Sequence, residues 1–180
     1  MSVFGIILLI AAAVFIYIYN SLVLKRTRAD NFLLYVTGFL KRRTEILHEL
    51  LRALPEKDGK EFLQVQALAD SYKPDGSIDE KIVHDQELTA AWKALHTQLA
   101  GKDQTLDPEV KKLLERLERN GGYLITVRKE YNQAVKNLNA EIKVFPWSML
   151  AKKMKISART PWQMPEAEWY KPLKLTDFKD

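Results

Sequence analysis

The chain begins with an unbroken apolar run, "VFGIILLIAAAVFIYIY" from Val3 to Tyr19, and no charged side chain occurs between Met1 and Leu24. A helix apolar on every face is predicted. Crossing a hydrocarbon core of ~30 Å at ~1.5 Å per residue takes about 20 residues, which the extension through Leu22 to Leu24 supplies. Tyr17 and Tyr19 stand where interfacial aromatic rings are expected. A cleaved signal peptide would carry positive charge before its apolar core and small residues at its exit. Here no Lys or Arg precedes the run, and "YIYNSLVLK" offers no small-x-small exit. Residues 1–24 therefore read as a retained transmembrane anchor.

From Leu22 the pattern changes to a seven-residue period. Leu33, Leu40, Leu47 and Leu54 recur in register, with Leu22, Ala29, Val36 and Leu50 at the adjacent heptad position and Arg43 breaking it. Phe32, Tyr35, Phe39 and Ile46 widen the stripe, as in a helix inside a bundle rather than a two-stranded coil. A helix over Leu22–Leu54, continuous with the anchor, is predicted. Pro55 and Gly59 mark a turn, a short helix covers Lys60–Tyr72, and "KPDGS" (Lys73–Ser77) makes the next turn. A third helix runs from Ile78 to Ala100. Asp107 then caps a fourth that begins at Pro108, where a missing N–H matters least.

The fourth helix is predicted to reach Val144. Val110, Leu117, Leu124, Tyr131, Leu138 and Phe145 form its seam, completed by Leu114, Val135 and Ile142 and interrupted by Gly121 and Arg128. The pair Gly121–Gly122 costs on the order of 1 kcal/mol per residue relative to Ala. It reads as a close helix crossing or a kink, with a hinge as the alternative. No stretch shows strand alternation. The expected fold is all-α: the anchor continues into an antiparallel up-down four-helix bundle over residues 25–155, and an irregular tail with Trp and Pro occupies 156–180. In that topology Phe145 returns to the bilayer beside Leu24.

The polar positions change this picture most. Asn132 and Asn139 lie beside the seam two turns apart, with Arg128 facing roughly the same way. A buried amide without partners costs roughly 1–3 kcal/mol. Antiparallel pairing brings Asn139 near Asp30, and Arg128 near the stretch 41–45 that holds Arg43. These five residues read as a polar ladder fixing the register of the first and last long helices, with a partner-binding stripe as the alternative. In "FPWSMLAKKMK" (Phe145–Lys155), Pro146 ends the long helix and a short amphipathic helix follows. It sets Trp147, Leu150 and Met154 against Lys152, Lys153 and Lys155. Together with Lys25, Arg26 and Arg28 these lysines would form a basic collar, each attracted to anionic lipid by about 1 kcal/mol near the surface. A solvated charged face is the alternative.

The net charge of +5 is unevenly spread: ten acidic against four basic residues over Glu61–Glu109, then fifteen basic against eight acidic over Val110–Asp180. The cations after the anchor favour a cytoplasmic body with the N-terminus outside; a periplasmic body is the alternative. The absence of cysteine rules out disulfides, thiolate metal sites and a cysteine nucleophile.

"YNSLV" (Tyr19–Val23), "LKRRTEIL" (Leu40–Leu47) and "RKEYNQAVKNLNAEIKVFPWSMLAKKM" (Arg128–Met154) together resemble the LemA family. Leu138 stands where that family usually has Tyr, Trp147–Ser148 replaces its Ser-Asn, and its Gly-Phe after the last long helix is missing. The resemblance implies a membrane-anchored helical bundle of bacteria without established catalytic activity, acting as an adaptor or scaffold. Some relatives are linked to membrane invagination and others to membrane proteases. The implied partners are the lipid bilayer with its anionic headgroups, and either further copies of the chain or another envelope membrane protein.

The sequence carries few residues arranged for chemistry. "HELLR" (His48–Arg52) lacks the second histidine of a zinc-protease helix. His84 and His96 are too far apart for a chelate and read as solvent-facing or interface residues. No phosphate loop, local catalytic triad or nucleic-acid motif is present. No catalytic, metal or cofactor residue is expected, and neither nucleic acid nor a small-molecule substrate is an expected partner.

Overall fold

The computed structural model describes residues 3–55, 57–100 and 107–162. Among these it is all-helical, with five helices: α1 (Val3–Ala53), α2 (Lys60–Asp70), α3 (Ile78–Ala100), α4 (Pro108–Glu141) and α5 (Trp147–Lys153). α1 runs without interruption through the apolar segment and the heptad segment. It contains one stretch long and apolar enough to cross a membrane.

The helix ends follow local chemistry. Ser77 and Glu80 form a reciprocal box at the start of α3: Ser77 N donates to Glu80 Oε2 at 2.7 Å, and Glu80 N donates to Ser77 Oγ at 3.2 Å. These hydrogen bonds, backbone first, hold the Glu80 carboxyl below its ordinary value of 4.5. Asp107 Oδ1 accepts from Glu109 N at 2.7 Å and so caps α4. α5 closes in a left-handed residue, Lys155 (φ 54°), with Lys155 N donating to Lys152 O and Ile156 N to Ala151 O. That is the hydrogen-bond pattern in which glycine is usual, here adopted by a lysine.

Two helix ends differ from the sequence reading by more than one residue. α4 stops at Glu141 rather than Val144, in a turn where Val144 N donates to Glu141 O. α2 stops at Asp70, capped by Ser71, whose hydroxyl donates to Leu68 O at 2.9 Å. The chain divides by its internal packing into two units, with boundaries inside α1 and α4: residues up to Leu34 with Lys129–Pro161, and Tyr35–Arg128 with Trp162.

In the second unit one core draws on four helices: Leu47, Leu50 and Leu51 of α1, Phe62 and Val65 of α2, Leu88 and Trp92 of α3, Val110 and Leu117 of α4. Each fully buried aliphatic side chain contributes about 2 kcal/mol. Gly121 and Gly122 are buried within an uninterrupted α4. Beside them Asn120 Nδ2 donates to Phe39 O at 3.3 Å, and the Tyr123 ring stacks on Phe39 at 5.6 Å between centroids. A side-chain amide reaching a backbone carbonyl of α1 marks a close crossing without a break in α4.

In the first unit a smaller core joins Ile18 and Leu22 of α1 to Ala151 of α5, with Ile142, Trp147, Leu150, Met154 and Ile156 packed around them. Phe145 does not continue the α4 seam. It is 72% exposed, and Leu24 is also exposed, so the expected docking of the two is replaced by the docking of α5 on Ile18 and Leu22. The reason is the early end of α4: beyond Glu141 the seven-residue period no longer maps onto one helical face.

Candidate functional site

Two polar clusters and one short helix hold most of the residues singled out from the sequence. The first cluster lies in the second unit and centres on Asp85 of α3. Arg43 Nη1 donates to Asp85 Oδ1 at 3.0 Å and to Thr89 Oγ1 at 3.0 Å. Arg128 Nη2 binds the other carboxylate oxygen, Oδ2, of the same residue. Exposures are 1% for Arg43, 1% for Asp85 and 5% for Arg128. The Arg128 guanidinium also lies 5.6 Å from the centroid of the buried Trp162 ring, a cation–π contact. Burial pushes the Tyr72 phenol above its ordinary value of 10, and the negative charge of Asp85 raises it further.

Both arginines occupy heptad positions, Arg43 in the register of Ala29, Val36 and Leu50, and Arg128 in that of Leu114, Val135 and Ile142. The two interruptions of the apolar seams are thus a single feature: guanidinium groups from α1 and α4 converging on one carboxylate from α3. Asp85 was missed by sequence reasoning. Its signal was a lone acid on the stripe of Ile82, Leu88, Trp92 and Leu95, all of which are buried.

The second cluster lies in the first unit. Asn139 Nδ2 donates to Arg159 O at 2.8 Å, and Arg159 N donates to Asn139 Oδ1 at 2.9 Å. One amide side chain so satisfies both backbone groups of a residue in the non-helical segment after α5. The Arg159 guanidinium turns to Asp30 at 2.5 Å. The expected Asn139–Asp30 contact is therefore corrected: the two are joined only through Arg159, and Asp30, with a side chain 47% exposed, also meets Arg26 at 3.8 Å. The cause is that residues 156–161, read as the start of an irregular tail, pack along α4; Tyr131 Oη donates to Thr160 O at 3.1 Å. Asn132 is half-buried.

The expected basic collar is divided. Lys25 pairs with Glu141, which also accepts from Ser21 Oγ at 2.6 Å. Arg28 meets Glu130 at 3.8 Å and lies over the Phe32 ring. Cations on the α1 side are thus partnered by carboxylates. Lys152, Lys153 and Lys155 are exposed and have no ion-pair partner among the described residues. Trp147, Leu150 and Met154 of the same segment face Ile18 and Leu22.

The profile of the LemA family matches residues 33–176 of this sequence. The chain belongs to the LemA family. A search of curated proteins returns no match. The region shared with the LemA family contains the whole Asp85 cluster, Asn139 and α5. It begins after Lys25, Arg26, Arg28 and Asp30.

The histidines of this LemA-family chain have structural partners. His48 Nε2 meets Asp70 Oδ1 at 2.9 Å, and His84 Nε2 donates to Leu68 O at 2.7 Å. His96 lies tilted against the Trp92 ring. Among the described residues no three His, Asp or Glu side chains group as metal ligands.

Proposed function

We propose that this LemA-family chain is a non-enzymatic scaffold or adaptor of the bacterial inner membrane. In this reading α1 spans the bilayer once, and the body is an antiparallel up-down four-helix bundle on the cytoplasmic side. One observation carries the proposal: the apolar segment and the heptad segment form a single continuous helix, and every large apolar side chain from Val3 to Tyr17 is exposed. A surface of that kind is stable in hydrocarbon and not in water. Antiparallel pairing of α1 and α4 is supported by partners of opposite numerical order, Ser21 with Glu141 and Arg28 with Glu130.

Retention in the membrane pellet through alkaline carbonate washing tests the anchor, and release into the supernatant refutes it. The cysteine-free sequence allows the side to be read with one introduced thiol. Lys93→Cys should stay unlabelled by an impermeant maleimide in intact spheroplasts and react after lysis; labelling before lysis would place the body in the periplasm. An adaptor should elute from detergent chromatography as a small species. Large homo-oligomers would instead favour self-assembly and membrane shaping.

A further inference from the structure

A groove of about 400 Å³ runs between α1 and α5 within the first unit, lined by Ala11, Val14, Phe15, Met149, Leu150 and Lys153. Five of these six residues are apolar. Val14, Phe15 and Met149 are exposed, as is Phe145 just before α5. The groove wall on α1 lies well inside the uncharged segment. Ile18, also in the wall, precedes Lys25 by ~10 Å of helix and Ala11 by ~21 Å, at ~1.5 Å per residue. If α1 spans a bilayer, as proposed above, the open side of the groove faces acyl chains and not water.

Lys153 is the exception on this apolar surface. A lysine on a helix docked at that depth is expensive in hydrocarbon unless its stem runs along apolar surface and its ammonium reaches an anion at the interface. No carboxylate among the described residues pairs with it, in contrast to Lys25 and Arg28. Lys152 adds a second unpaired cation on the same turn.

We propose that the α1–α5 groove is a binding site for one anionic phospholipid, with an acyl chain along Val14, Phe15 and Leu150 and the headgroup phosphate on the Lys153 ammonium. The volume falls in the range of ordinary ligand sites. The site differs from a diffuse basic collar: it holds a single lipid, and its selectivity depends on one lysine.

Native mass spectrometry of the full-length protein in detergent tests this, with phosphatidylglycerol and phosphatidylcholine added in equal amounts. One phosphatidylglycerol should survive activation that strips phosphatidylcholine. Lys153→Gln should lower that preference about fivefold, the loss expected for one lysine near a lipid surface. Ala11→Phe, which fills the groove without adding charge, should lower retention of both lipids. Equal retention of the two lipids by the wild type overturns the proposal, as does a preference unchanged by Lys153→Gln. Retention of another protein in place of lipid overturns it too. Carbonate washing of the membranes from which the protein is purified separates the two readings: a protein that stays in the pellet without lipid preference keeps its anchor and loses the groove site, whereas one released by the wash loses the anchor.

Discussion

The Asp85 cluster and the Asn139–Arg159–Asp30 cluster use similar groups in opposite ways. In the first, two arginines and one aspartate are almost wholly removed from water. In the second, an amide bonds the backbone, and the ion pair it accompanies has an aspartate that is 47% exposed on its side chain. Desolvation separates the two. A buried carboxylate between two guanidinium groups is held by interactions that water cannot replace, and its loss leaves two uncompensated charges. An exposed carboxylate that loses its arginine is simply rehydrated.

The largest expected effect follows directly. Asp85→Ala should destabilise the protein by about 3–5 kcal/mol, because Arg43 and Arg128 are left buried without their acid. Replacing all three together, Arg43→Met, Asp85→Leu and Arg128→Met, should recover much of that loss. Urea midpoints of the detergent-solubilised proteins measure both. A triple variant as unstable as Asp85→Ala would mean that packing, and not charge, is what the cluster supplies.

Asn139→Leu comes next. It strands the N–H and C=O of Arg159 and should cost roughly 1–3 kcal/mol. Combined with Asp30→Leu, the losses should depart from additivity by only about 0.5 kcal/mol, because both residues act on Arg159 but through different groups, Asn139 on its backbone and Asp30 on its guanidinium. A coupling above about 1 kcal/mol in that double-mutant cycle would break the distinction between the two contacts.

Asp30→Asn alone should change stability by at most about 1 kcal/mol, and by less as salt is raised. A loss comparable to that of Asp85→Ala, insensitive to salt, would erase the contrast between the clusters.

The smallest effect belongs to Glu80, an exposed carboxylate held chiefly by the Ser77 backbone N–H and further by the Ser77 side chain. Its pKa is lowered on folding, so its contribution is complete above the unfolded value near 4.5 and is lost as pH falls through the lower folded value. Glu80→Gln can still accept the bond from Ser77 N and removes the titration. The wild type should therefore lose stability more steeply than the variant below pH 4.5, read as thermal midpoint against pH; parallel curves would count against the box.

Much of this was legible in the sequence, because helix periodicity is a local property. Residues three and four apart share a face whatever lies opposite. The apolar run from Val3, the seam of Leu40 and Leu47, the turn at Pro74–Gly76 and the cap at Asp107 thus needed no knowledge of the fold. The box of Ser77 and Glu80 has an equally local S-x-x-E spacing, although the sequence reading takes Ser77 only as the end of a turn. The same periodicity marked Arg43 and Arg128 as misfits in their seams.

Tertiary structure alone decided what those misfits meet. Arg43 and Asp85 are 42 residues apart in the chain, and no spacing rule connects them. The partner of Asn139 likewise depended on how the segment after α5 folds back, since an amide bonds whichever donor and acceptor the packing presents. Phe145 shows the limit most plainly: its register placed it in a seam, but the helix ended four residues earlier, and the docking of α5 on Ile18 and Leu22 left it exposed. Local sequence determines which face of a helix avoids water; only the packed chain determines what that face touches.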